Sequence, residues 1–143
     1  YFNSSPEVIR LVVMLYVRFP LSLRNVEDLL AERGIDICHE TARHWWNRFG
    51  PLFAADIKRQ RISRMRGFRN WRWQNNRAEN SHLPFRRRER AMIRFRQTKS
   101  LQKFASVHAN VHNHFNSERH LSDRQSYKTA RSAALAEWQN LMA

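Results

Sequence analysis

No run of alternating apolar and polar residues in this sequence is long enough to predict a β-strand. Only three glycines and four prolines interrupt its 143 residues, and apolar residues recur instead at the three- and four-residue spacings of helices. The sequence therefore predicts a mainly α fold. A chain of this length forms one ordinary domain, or two very small ones, around a modest core.

Positive charge is concentrated in the middle of the chain. Residues 58–103 hold sixteen basic and two acidic side chains, whereas residues 1–57 hold six and seven, and residues 104–143 hold four and three. The formal net charge is +14, and a protein with such an excess is attracted to polyanions. Nucleic acid is therefore the first partner to expect.

Membrane insertion and disulfide bonding are not expected. The longest apolar run, residues 11–17, is far shorter than the roughly 20 residues that a membrane span requires. Cys38 is the only cysteine, so an internal disulfide and a cysteine-based metal finger are both excluded. These features favour a reducing cytoplasm as the location.

Residues 1–57 predict a unit of three helices. Ser5-Pro6-Glu7 is typical of a helix start and Pro20 ends that helix; Ser22 caps a second helix that closes at Gly34, and a third begins just past Asp36. The predicted apolar stripes of the three helices are Val8, Leu11, Val12, Leu15 and Phe19; Leu23, Val26, Leu29 and Leu30; and Cys38, Ala42, Trp45 and Phe49.

The second and third predicted helices match a helix-turn-helix, in which the second helix of the pair enters the major groove of DNA. Arg43 matches the pattern of acceptors on guanine, and Asn47 matches adenine. The alternative is a small helical bundle with a solvated polar face. The residues predicted to contact base edges are His39, Glu40, Arg43, His44 and Asn47.

Residues 58–74 predict a basic linker, because their cations are mixed with aromatic residues and follow no helical stripe. Such a segment supplies phosphate contacts beside a module that reads bases. Binding of RNA or single strands by stacking on Trp71 and Trp73 is a further alternative. The residues predicted to contact phosphates are Lys58, Arg59, Arg61, Arg64, Arg66 and Arg69.

Two strings in the centre of the chain carry a specific resemblance. N-R-A-E-N-S-H at residues 76–82, followed by R-R-R-E-R-A-M at residues 86–92, closely resembles the last catalytic block of DDE transposases from the bacterial insertion-sequence family numbered six. Residues 19–36 resemble the helix-turn-helix of that family, and residues 119–128 resemble its C-terminal helices. The resemblance covers nearly the whole chain.

The family resemblance implies a role for several charged residues. In such enzymes three carboxylates on an RNase H-like fold hold two divalent metals, such as Mg²⁺, during attack on a phosphodiester. Glu79 matches the third carboxylate, and Arg86, two helical turns further on, would steady a phosphate beside the metal. Arg87 and Arg88 are predicted to contact DNA as well.

The sequence departs from the family where the first two acids are expected. The first should follow a string like Trp71 to Trp73, yet residues 74–76 are Gln-Asn-Asn, and the segment that would carry the second is missing. Glu79 alone would not organise a metal pair, so no functional cofactor is expected. The remaining aspartates, which match helical parts of the family, are Asp28, Asp36, Asp56 and Asp123.

The resemblance therefore implies an internally deleted transposase in which residues 75–143 are a helical remnant of the catalytic domain. We expect it to bind duplex DNA at terminal inverted repeats, in the cytoplasm and close to the nucleoid, without cutting or joining strands. A second copy or a full-length transposase is the expected protein partner. The alternative is a small, non-enzymatic DNA-binding regulator that inhibits a full-length transposase.

The C-terminal third predicts two more helices. Their apolar faces either remain exposed, because the sheet of the family is missing, or pack on the N-terminal unit. His108 and His112 have a spacing that suits zinc, but no carboxylate or thiol joins them, so we assign them to packing or to the surface. The predicted stripes are Leu101, Phe104, His108, Val111 and Phe115, and Tyr127, Ala134, Leu135, Trp138 and Leu141.

Overall fold

A computed structural model describes residues 4–65, 82–92, 95–116 and 122–141. Within these ranges the chain forms six helices and no strand, which confirms the predicted mainly α fold. The helices are α1 (Pro6–Arg18), α2 (Leu23–Ala31), α3 (His39–Met65), α4 (His82–Ala91), α5 (Thr98–Phe115) and α6 (Arg124–Gln139).

The first two helices begin and end at the predicted signals. The Ser5 hydroxyl accepts a hydrogen bond from the first turn of α1, and α1 ends before Pro20. At the start of α2, Ser22 and Asn25 form a reciprocal capping box. Gly34 closes α2 with a φ of +74°, a conformation that residues with a Cβ rarely adopt. Local sequence is therefore sufficient to define both helices.

Helix α3 is longer than the sequence predicted. It continues to Met65, so residues 58–65, predicted as the start of the linker, are helical. Phe49, Phe53 and Ile57 repeat every four residues and are all buried, so the packed stripe extends past the end of the predicted third helix. The rest of the predicted linker, residues 66–74, lies outside the described residues.

Pro51 lies inside α3 and has no N–H with which to bond the carbonyl oxygen of Asn47. Lys103 of α5 supplies the missing donor. Its Nζ donates to the Asn47 carbonyl at 3.0 Å and to the Asn47 side-chain oxygen at 3.1 Å. A side chain from the second half of the chain therefore compensates for a proline in the first half.

The end of α1 leaves a second carbonyl oxygen without a helical donor, that of Tyr16, because the chain becomes extended at Phe19. The Nε of Arg88, in α4, donates to this oxygen at 2.7 Å. We call the backbone oxygen of Asn47 the proline-freed carbonyl. At both carbonyls a basic residue that is distant in sequence supplies the donor.

The C-terminal helices pack on the N-terminal unit, as one of the two sequence-based alternatives proposed. Helix α5 contacts α1 and α3, and α6 contacts α1 and α5. The Trp46 and Phe104 rings lie 5.4 Å apart, and Phe53 and Trp138 are also 5.4 Å apart. One continuous core therefore joins the two halves of the chain.

This packing corrects part of the predicted apolar stripes. Helix α1 is covered on several sides and buries Ile9, Val13 and Tyr16, whereas most of the predicted stripe is only partly buried. Cys38 is exposed, because α3 begins at His39 and Cys38 lies just before it. Leu135 is 39% exposed, although its neighbours Ala134 and Trp138 are buried as predicted.

Candidate nucleic-acid interface

Glu27 of α2 fixes the start of α3. Its Oε2 accepts the backbone N–H of His39 at 3.0 Å and lies 2.8 Å from the Nδ1 of the same residue. The carboxylate thus bonds one of the N–H groups that a helix start leaves without an internal partner, and its charge suits the positive end of the helix dipole. This contact orients the first turn of α3 relative to α2.

The five residues predicted to contact base edges lie in the first three turns of α3. Four of them are exposed and His39 is half-buried. The Arg43 guanidinium donates to both oxygens of Glu40, at 2.9 and 3.1 Å. An exposed pair of this kind contributes only about 0–1 kcal/mol, so Arg43 remains able to exchange Glu40 for another acceptor.

The Asn47 side chain is not free to pair with adenine as the sequence analysis predicted. Its oxygen accepts a hydrogen bond from the Lys103 ammonium. A cleft of about 390 Å³ lies here between α3 and the start of α5 and is lined by Arg43, Asn47, Lys99 and Lys103 among others. The sequence analysis did not place either lysine beside α3. The signal that would have indicated such a neighbour is Pro51, which frees the Asn47 carbonyl.

The basic residues after the predicted reading face continue along the same helix. Lys58 and Arg59 are exposed, and Arg61 is partly exposed. Arg59 lies 3.4 Å from Asp56, an exposed pair on α3. At 1.5 Å per residue, Arg61 lies about 27 Å along the axis from Arg43. The side chain of Arg64, and all of Arg66 and Arg69, lie outside the described residues.

Arg88 does not share the exposed surface of the two arginines before it. Arg86 and Arg87 are exposed on α4, but Arg88 is only 1% exposed. Its guanidinium carbon lies 4.5 Å from the centre of the Tyr16 ring and 5.5 Å from that of Phe104, distances typical of cation–π contacts. The Tyr16 carbonyl and these rings together hold the side chain inside.

Arg88 has unsatisfied polar atoms as well. Neither terminal guanidinium nitrogen has a hydrogen-bond partner within the described part of the chain. Burial lowers the pKa of Arg88 to about 10, since a charged group is less stable away from water. The group nevertheless remains cationic at neutral pH.

The described residues do not form a metal centre. No group of three or more His, Cys, Asp or Glu side chains in these ranges is placed to hold an ion, and Glu79 lies outside them. The rings of His108 and His112 stack at 5.5 Å with an interplanar angle of 11°. Burial, with smaller contributions from His112 and Arg88, lowers the pKa of His108 to about 4, so it is neutral at pH 7.

A search of the described ranges for a helix with the length and apolar character of a membrane span finds none.

Comparison with known proteins finds similarity in part of the chain. Residues 54–118 match a family described as a DDE domain. The transposase for insertion sequence-like element IS431mec of Staphylococcus aureus is 33% identical over 52 residues, in strains Mu50 and N315 alike. The transposase for insertion sequence element IS257 in transposon Tn4003, also from Staphylococcus aureus, is 31% identical over 52 residues.

These alignments are partial. Each spans 36% of this chain and 23% of the curated relative that it matches. No solved structure matches the chain at a comparable level of significance. The DDE domain match and the transposase relatives nevertheless agree with each other and with the resemblance of residues 76–92. In this segment the chain is therefore similar to the DDE domain and to transposases of bacterial insertion sequences.

Proposed function

We propose that this chain binds duplex DNA through α2 and α3, with the start of α3 in the major groove, and that it does not cut or join strands. The observation that carries the proposal is the exposed polar start of α3, which follows a short turn and is oriented by Glu27. A helix that is presented in this way by a preceding helix has the arrangement of a helix-turn-helix reader.

The positions of basic residues also support placing the start of α3 in the major groove. Lys99 and Lys103 lie beside the predicted reading face, while Lys58 and Arg59 are exposed further along α3. Cations beside and beyond the start of a helix in the major groove would meet backbone phosphates. In the cell, terminal inverted repeats of an insertion sequence would be the duplex, and the nucleoid in the cytoplasm would be the location.

The proposed loss of catalysis rests on the missing acids. By resemblance, Glu79 is the only member of the triad present, and one carboxylate does not hold the two metals that such strand transfer requires. The C-terminal helices pack on α1 and α3 without a sheet in the described residues. Such packing would let a chain without the catalytic sheet remain folded.

Binding is tested by selecting a duplex from a randomised library and measuring its affinity by fluorescence anisotropy. Arg43→Ala should weaken the selected duplex by about 1–3 kcal/mol, that is about 5- to 150-fold, and unrelated duplexes much less. Lys128→Ala, an exposed change of equal charge on α6, is the matched control. Failure to enrich any sequence, or equal losses in both variants, would contradict the assignment of α3.

Catalysis is tested separately with the same duplex in Mg²⁺ or Mn²⁺. We expect no nicked or joined product, because two of the three acids are missing. Metal-dependent cleavage that copurifies with the chain and is abolished by Glu79→Gln would refute this part of the proposal, while DNA binding would stand.

A regulatory role is the second candidate, since a folded DNA-binding chain without catalysis would occupy the sites of an intact transposase. The test is transposition by an intact relative with and without this chain. A drop in frequency that Arg43→Ala relieves would support inhibition through DNA binding, and an unchanged frequency would refute it.

A further inference from the structure

A cavity of about 260 Å³ lies at the opposite end of α5 from the Lys103 contact. It is bounded by the end of α1, by α4, by the end of α5 and by α6. Its polar lining is Arg18, Arg87, Arg88, His112, Asn116 and Tyr127, and its apolar lining is Phe19, Pro20, Pro84 and Phe115. The predicted reading face does not contribute to it, and neither do residues 58–65, the described part of the predicted linker.

Among the described residues, the lining is cationic and contains no acid. Three of its ten described members are arginines and none is an aspartate or glutamate. Within the described ranges, no carboxylate forms an ion pair with Arg18, Arg87 or Arg88. Repulsion also operates here, because Arg131 contributes to lowering the pKa of Arg18, after the larger effect of burial. As far as the described residues go, the cavity is thus a concentration of positive charge without an acidic partner.

Burial of this positive charge lowers the stability of the chain when no anion is bound. Arg88 is almost fully buried, and its two terminal nitrogens have no partner among the described residues. The Arg18 guanidinium lies 4.3 Å from the centre of the Phe115 ring, so it is stacked and half-buried. A buried cation without an anion is expensive, and an anion near these groups would recover that free energy.

We propose that this cavity binds a phosphate or diphosphate group, either free or as part of a nucleic-acid strand. Planar guanidinium groups are the side chains best suited to phosphate oxygens, since each presents several N–H donors in a fixed geometry. Water occupies about 30 Å³ per molecule in the liquid, so the cavity has room for either group.

The site does not depend on DNA binding by α3, because the two surfaces share no residue.

The probe is inorganic pyrophosphate, added to the full chain in calorimetric titrations at constant ionic strength adjusted with NaCl. We expect saturable binding at one site. The paired variant Arg18→Ala/Arg87→Ala should bind at least tenfold more weakly, because two charge-assisted contacts are removed.

The matched control is Arg90→Ala/Lys128→Ala, which lowers the net charge equally but changes two exposed residues outside the cavity. It should retain the affinity of the unmodified chain. Circular dichroism of all three proteins checks that each is folded, and Arg87→Ala alone, an exposed change, replaces the pair if Arg18→Ala unfolds the chain. Equal losses in the two paired variants, or no saturable binding by the unmodified chain, would overturn the proposal.

Competition with duplex DNA distinguishes the two sources of the phosphate. If the duplex displaces pyrophosphate from the unmodified chain but not from the Arg90→Ala/Lys128→Ala control, a cavity-specific site is overturned. Displacement from both would assign the cavity to backbone phosphate. Simultaneous binding of duplex and pyrophosphate would assign it to a free phosphate compound.

Discussion

The contact between Lys103 and the proline-freed carbonyl of Asn47 predicts that two substitutions far apart in sequence are coupled. Lys103→Met removes a charged donor that lies 3.0 Å from the carbonyl and 3.1 Å from the side-chain oxygen. Hydrogen bonds to charged groups contribute about 1.5–3 kcal/mol, but water can replace part of this contact near the surface. We therefore expect Lys103→Met to lower the free energy of unfolding by about 1 kcal/mol.

Pro51→Ala should reduce the contribution of the Lys103–Asn47 contact to the free energy of unfolding. Alanine restores a backbone N–H four residues after Asn47, and it also removes an unfavourable residue from the interior of α3. We expect this variant to be more stable than the unmodified chain. In its background Lys103→Met should cost only about half as much, because the carbonyl then has a helical donor of its own.

The assay is equilibrium unfolding in urea, followed by circular dichroism, for the two single variants and the double variant. Lys99→Met is the control, since Lys99 is an exposed lysine one turn before Lys103. We expect a coupling of about 0.5 kcal/mol or more between positions 51 and 103 and none between 51 and 99. Additive effects at positions 51 and 103 within about 0.3 kcal/mol would refute the argument.

Two further predictions concern the core. Gly50→Ala places a Cβ 2.6 Å from the Trp46 ring, which is buried, so we expect a net loss of about 1–2 kcal/mol despite the better helix propensity of alanine. The exposed Leu52→Ala should cost less than about 0.5 kcal/mol in the same urea titration, and a Gly50→Ala variant as stable as this control would contradict the expected clash. The second prediction is acid destabilisation. The folded pKa of His108 is about 4 and its unfolded pKa about 6.5, so its titration leaves the free energy of unfolding unchanged above pH 6.5 and lowers it as pH falls toward 4, by on the order of 3 kcal/mol. His108→Leu should reduce the difference in unfolding free energy between pH 7 and pH 4.5, and an undiminished difference would contradict this.

Much of the N-terminal unit was predictable because its determinants are local. The caps at Ser5 and Ser22 and the turn at Gly34 each depend on residues within one or two helical turns. The exposed position of Arg43 follows from helical periodicity alone. For the same reason the start of α3 could be identified as a candidate reading face from the sequence.

The features that the sequence did not predict depend on contacts between helices, which sequence patterns do not encode. Three consecutive arginines at residues 86–88 do not reveal that only the last turns inward, where the Tyr16 carbonyl and two aromatic rings receive it. The position of Lys103 beside Asn47 depends likewise on how α5 packs against α3. Counting basic residues therefore overestimated the number that are exposed.

The proline-freed carbonyl has a consequence for how sequences of this kind would diverge. It couples Pro51 to Lys103, a basic residue more than 50 positions away. A descendant that loses Pro51 would no longer need the cation opposite it, whereas loss of Lys103 first would carry a penalty. Positions 51 and 103 should thus change in a preferred order and be inherited as a pair.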